Sequence, residues 1–114
     1  MKNDKSIYIT INHLDEFMAT MNLRVGDVLN LRKDPDNIYD DESIVVYDKN
    51  GSKTGYVANS VHSVARGTHS AGRVYDGIDN ESDCIVKFIL CEEGCAIGEL
   101  ISSGKKEGEK NGND

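Results

Sequence analysis

The stretch Leu29–Val57, LNLRKDPDNIYDDESIVVYDKNGSKTGYV, decides how the chain folds. Its first residues set Leu29 and Leu31 against Asn30 and Arg32 on opposite faces, the period of a strand with one buried side. Ser43–Tyr47, SIVVY, is a second strand, rich in β-branched residues. The DKNGSK that follows is a hairpin connection with Asn50-Gly51 placed for positive φ, and Lys53–Val57 returns as the next strand. Between the first two strands lies the turn DPDNIYDDE, which holds five acidic side chains and the only Pro of the chain.

Working outward, Ser6–Ile11, SIYITI, alternates apolar and polar residues and reads as the first strand. Asp15–Asn22, DEFMATMN, has good helix formers with Phe17, Met18 and Met21 at helical spacing, and predicts a short helix or turn. Arg24–Asp27, RVGD, is turn chemistry. Downstream, Asn59–Arg66 predicts a short helix: Asn59 is an N-cap candidate, Val61, Val64 and Ala65 share a face, and Gly67 ends it. Gly72–Ile78 and Asp83–Leu90 read as strands joined by the polar turn DNES, and Cys95–Ile101 as an added edge strand. The fold expected is all-β to α+β: a small barrel of six or seven short strands with one or two short helices. One domain over residues 1–101 is expected, followed by a disordered polar tail over 102–114.

The 114 residues leave room for roughly 90 to 100 folded ones and one modest core. No run approaches the ~20 apolar residues needed to cross a bilayer, and the N-terminus lacks the apolar core of a signal peptide, so a cytoplasmic protein is expected. The formal charge is −7. Three Lys in the tail balance its three acids, so the domain carries that charge itself and any nucleic-acid surface must be local. Cys84, Cys91 and Cys95 are an odd number, spaced C-x6-C-x3-C without the C-x2-C knuckle of a zinc site. They are expected to be reduced thiols in the core or on the surface.

The acidic turn invites three chemical readings. An EF-hand begun at Asp34 would put Ile38 at an oxygen-ligand position, Tyr39 where the sharp turn needs Gly, and Val45 where the bidentate Glu belongs. Asp40, Asp41 and Glu42 are adjacent, and neighbours on an extended segment point to opposite faces rather than toward one reacting atom. His13, His62 and His69 have no nucleophile motif beside them, and no phosphate-loop or dinucleotide glycine pattern occurs. No catalytic residue, metal or cofactor is expected. The remaining feature is Tyr39-Asp40 after Asn37, a residue suited to turns. An aromatic face beside a carboxylate suits a stacked nucleobase whose sugar hydroxyl donates to the acid. Equally, Tyr39 can pack in the core while Asp40 caps the turn.

At these residues the sequence resembles the HIRAN domain, a module at the N-terminus of some eukaryotic fork-remodelling translocases and of short stand-alone bacterial proteins. The shared pattern is an apolar-x-apolar-basic strand end, acid-Pro-x-Asn-x-Tyr-Asp, two spacers, a small residue, Ile-x-Val, a hairpin, and Gly-Tyr or Gly-His before an apolar residue. The resemblance implies a six-stranded OB-like barrel with short helices, and capture of the 3′ end of single-stranded DNA. Carried over, Tyr39 stacks a base, Asp40 accepts from the 3′ hydroxyl, Asn37 shapes or lines the pocket, and Tyr56 meets a phosphate where those members have His. Asn59 stands where the DNA-end binder has a phosphate-binding Lys. Ser43 replaces the usual Ala, and no counterpart of the second stacking Tyr and its Arg is evident in Asn12–Met21. Arg32 and Lys33, with Lys53, Arg66 and Arg73, are the remaining phosphate candidates. The function so implied is a small nucleic-acid-binding module linked to DNA repair or processing, with DNA as partner and no membrane. A protein-interaction or homo-oligomerisation module that has lost the DNA pocket is the alternative, favoured by the charge and the missing Lys. A metal-dependent phosphodiesterase would need ligands from distant segments that the sequence does not reveal.

Overall fold

The computed structural model describes residues 6–60 and 62–101. Six strands, β1 (Tyr8–Asn12), β2 (Val28–Lys33), β3 (Ile44–Tyr47), β4 (Lys53–Val57), β5 (Glu81–Leu90) and β6 (Cys95–Ile101), close into a barrel in the order β1-β4-β3-β2-β5-β6. Every neighbouring pair is antiparallel. One short helix, α1 (Ala71–Tyr75), and two 3₁₀ segments, Leu14–Phe17 and Cys91–Glu93, complete the elements.

The alternation visible in the sequence becomes the barrel wall. Ile9 and Ile11, Leu29 and Leu31, Ile44 and Val46, and Cys84 and Val86 all point inward and are buried. Side chains at every second position of each strand thereby fill one small interior. Burial, reinforced by the Asp83 carboxylate, pushes the Cys84 thiol up to about 12, so it sits in the core as a neutral apolar group. Cys91 is exposed, Cys95 is half-buried, and all three are free thiols.

Each end of the barrel is plugged by a short element. Leu14, at the start of the first 3₁₀ segment, is fully buried at one end, and its N–H donates to the Gly94 carbonyl at 3.1 Å. At the other end Ala71 and Val74 of α1 are buried. The Ala71 N–H donates to the Ala58 carbonyl at 2.9 Å and the His69 N–H to Tyr8 at 2.7 Å, pinning α1 beside the start of β1 and the end of β4.

Four expectations are corrected. Gly72–Ile78 is not a strand: Ser70 accepts the Arg73 N–H with its side chain and starts α1, an N-cap that overrides the strand-forming Val and Tyr. No helix spans the described part of Asn59–Arg66. Its residues form successive turns around Ser60, whose carbonyl accepts the Ser63 and Val64 N–H groups, while Val61 lies outside the described residues. Cys95–Ile101 is no edge strand, since β6 pairs with both β5 and β1 and closes the barrel. In Asp15–Asn22 the expected short helix or turn forms as a 3₁₀ segment and turns; Met18 and Met21 are exposed there, and Leu14, Ala19 and Leu23 are buried. In the β3–β4 hairpin only Gly51 has positive φ, because the Asp48 carboxylate accepts the Asn50 and Ser52 N–H groups and sets the turn. The expected tail lies outside the described residues. Among the described residues no helix is long and apolar enough to cross a membrane.

Candidate nucleic-acid interface

The acidic turn leaves the barrel at the end plugged by α1. Its base is closed by the Asp34 N–H donating to the Ser43 carbonyl at 2.8 Å. At its tip the Asn37 side-chain oxygen accepts two backbone N–H groups, Tyr39 at 2.8 Å and Asp40 at 3.1 Å. This Asx geometry turns the chain sharply and throws the intervening side chains outward. Ile38 is 85% exposed and Tyr39 90% exposed. Packing of Tyr39 in the core is therefore excluded, and Asn37 acts on the backbone of the turn.

Asp40 faces the barrel and is held at both carboxylate oxygens. One accepts the Glu42 N–H at 2.9 Å, and the other accepts the Asn59 side-chain N–H at 2.9 Å. The Asn59 oxygen in turn accepts the Gly72 N–H at 2.8 Å. One amide thus ties the acidic turn to the first turn of α1. Helix and turn approach so closely that a Cβ on Gly72 would lie 2.7 Å from the Glu42 carboxylate. The Asn59 side chain is engaged internally on both of its polar atoms.

On the outward side of the barrel wall, a row of paired residues crosses four strands: Arg32, Val45, Tyr56 and Asn12, of which Val45 is buried. With strands ~4.8 Å apart, Arg32 lies about 10 Å from Tyr56. Its guanidinium sits 4.4 Å over the Tyr47 ring and donates to Asn30 at 2.7 Å. Tyr56 stands in an aromatic cluster with His13 edge-on at 5.9 Å and Phe17 tilted at 6.0 Å. Lys53 lies 5.5 Å from the Tyr56 ring centroid and donates to the phenol oxygen at 3.4 Å. His13 and Phe17 are functional candidates that the sequence did not reveal. The signal was indirect: β1 must end near Asn12, and the left-handed His13 then starts a turn that returns toward β4.

The predicted residues thus fall into separate groups. Asn37, Tyr39, Asp40 and Asn59 share the rim by α1, and Tyr56 precedes Asn59 on the same strand path. Arg32 lies on the outer sheet face. Lys33 instead covers the Tyr75 ring of α1 at 4.6 Å. The Tyr75 hydroxyl is held above its ordinary range by partial burial and by the Asp41, Asp34, Asp76 and Glu42 carboxylates. Lys33 is therefore among the acids, while Arg66 and Arg73 are exposed. Among the described residues no group of three or more His, Cys, Asp or Glu side chains is arranged to hold a metal ion.

A family model, HIRAN domain, matches residues 8–77, well over half of the chain. The chain belongs to the HIRAN domain family. HIRAN domains are known in general as DNA-binding modules. The match runs from β1 through α1 and contains the whole rim, while β5 and β6 complete the barrel beyond it. Among solved structures, a Lactobacillus plantarum protein is 21% identical, with a TM-score of 0.58 over 86% of this chain and 95% of that one. The HIRAN domain of human HLTF is 19% identical, with a TM-score of 0.59 over 83% of this chain and 74% of that one. At these identities the likeness is one of fold, the small OB-like HIRAN barrel. Among curated proteins no relative matches the chain.

Proposed function

We propose that this HIRAN domain is a binding module, without catalysis, for the 3′ end of single-stranded DNA, acting in DNA repair or processing in the cytoplasm. The observation that carries the reading is the pairing of a solvent-facing Tyr39 ring with a neighbouring carboxylate fixed in place. A carboxylate has about four acceptor sites. Two on Asp40 are taken by Glu42 and Asn59, so each oxygen keeps capacity for a donor such as a sugar hydroxyl. Every base has a π-face, so the exposed ring can stack any of them, a contribution of ~1–3 kcal/mol. Tyr56 and Lys53 would meet the next phosphate, and Arg32 would serve the outer sheet face. Asn37 and Asn59 are positioning residues in this scheme. The three free thiols accord with a reducing compartment.

The test is fluorescence anisotropy with oligonucleotides that carry either a free 3′ hydroxyl or a 3′ phosphate. The free end should bind more tightly by about tenfold, the equivalent of one charge-assisted hydrogen bond of ~1.4 kcal/mol. Equal binding removes the end-recognition role of Asp40. The alternative, protein interaction, is favoured by one observation, the outward Phe88 and Leu90 on β5. A homogeneous dimer by light scattering, together with no oligonucleotide binding at low salt, would establish it instead.

A further inference from the structure

At the barrel end opposite α1, the segment from Phe17 to Leu29 and the β3–β4 hairpin enclose a cleft of about 640 Å³, within the size range of ligand sites. We propose that this cleft is a second subsite for the same DNA strand, receiving nucleotides on the 5′ side of the one held at Asp40. The proposal rests on the 3′-end reading above and extends it from a terminal pocket to a track.

Continuity is the first argument. Lys53 lines the cleft and also contacts Tyr56, and its ammonium lies 5.7 Å from the Phe17 ring centroid. Phe17 lines the cleft and contacts Tyr56 as well. Along β4 and just past its end the order is Lys53, Tyr56 and then Asn59, a path of about 20 Å at ~3.3 Å per residue. A strand whose 3′ terminus sits at Asp40 and whose next unit reaches Tyr56 is therefore delivered to Phe17 and Lys53.

Charge is the second. In a chain of net charge −7, two lysines, Lys49 and Lys53, line this one cleft. Neither forms an ion pair among the described residues. The two acids on the same wall are used locally. Asp27 accepts the Arg24 N–H at 2.9 Å, and Asp48 accepts those of Asn50 and Ser52 at 2.8 and 2.9 Å. Two cations beside an accessible aromatic ring form the combination that tracks a phosphate backbone while a base stacks.

The experiment compares a dinucleotide and an octanucleotide, each with a free or phosphate-blocked 3′ end, on the full chain and on Lys49→Glu, an exposed hairpin substitution away from the Asp40 rim. The octanucleotide should bind the unaltered chain about tenfold more tightly than the dinucleotide. Lys49→Glu should abolish most of that gain while leaving dinucleotide affinity and the free-end preference unchanged. Equal affinity for both lengths, or an equal loss at both lengths in Lys49→Glu, overturns the subsite. A length gain sensitive to Lys49 without any free-end preference supports the cleft and overturns only the terminal reading. Absence of binding at either length overturns both.

Discussion

At Asn59 the side-chain nitrogen donates to Asp40 and the oxygen accepts from the Gly72 N–H, so both halves of the amide are in use. A Lys here could reach a phosphate, but could not accept from Gly72. The Asn59 amide is a brace that fixes a carboxylate. Replacing Asn59 with Ala should therefore cost about 1–3 kcal/mol of stability, read from the urea midpoint, because it strands the half-buried Asp40 and Gly72 groups. It should also reduce the affinity ratio between free and blocked 3′ ends, which a merely structural loss would leave intact. Retention of that ratio in the variant would separate Asn59 from end recognition. The brace was not legible in the sequence, since its acceptor half depends on an amide of α1 that the residue pattern assigned to a strand. Asn37, Tyr39 and Asp40 were legible because they act within one turn, where spacing alone fixes who meets whom.

Among the elements, β4 explains the Gly-Tyr pair of the family pattern. Gly55 faces the interior where β4 meets β1, and a Cβ there would run into the Asn12 carbonyl oxygen and press on Ile11 and Leu14. A backbone atom cannot rotate away as a side chain can. Gly55→Ala should thus destabilise the domain by about 1–3 kcal/mol in chemical denaturation, the range of an overpacked core. It should also displace Tyr56 from His13 and Phe17. Full stability in that variant would mean that the β1–β4 seam can open without cost. Strands β2 and β3 were readable from the inward Leu29 and Leu31 and the inward Ile44 and Val46, although Val45 and Thr54 are buried as well and break a strict alternation on β3 and β4. The helix α1 was missed for an opposite reason. Five residues hold too little periodicity to distinguish helix from strand, and the Ser70 cap that decides the matter lies outside the segment. The role of β6 was missed because whether a strand lies at an edge or closes a barrel is settled by its partners, which are β5 and β1 here.

For the whole molecule, the balance of charge sets how binding must depend on salt. The chain carries −7, and Lys33 is spent among the acids around Tyr75; of the other cations, Arg32, Lys49 and Lys53 are the three that the proposed reading sets along the strand. About three contacts on a single strand give a slope near −2 for log affinity against log salt. Titrating the octanucleotide complex across salt concentrations should return that shallow value. A slope several times steeper would point to a basic surface elsewhere in the chain. In the proposed reading, such weak electrostatics place most of the discrimination on stacking and on Asp40, groups whose contribution salt changes little. One feature of the barrel bears on how such a module is used. Because β1 begins and β6 ends as antiparallel neighbours, with Tyr8 opposite Glu99, the domain hangs from adjacent attachment points, like a pendant on a double cord. Those points lie at the end plugged by α1. Whatever is joined there, before or after the barrel, is placed on the same rim as Tyr39 and Asp40 rather than behind it, so a DNA end held as proposed would face that neighbour without the domain having to turn round.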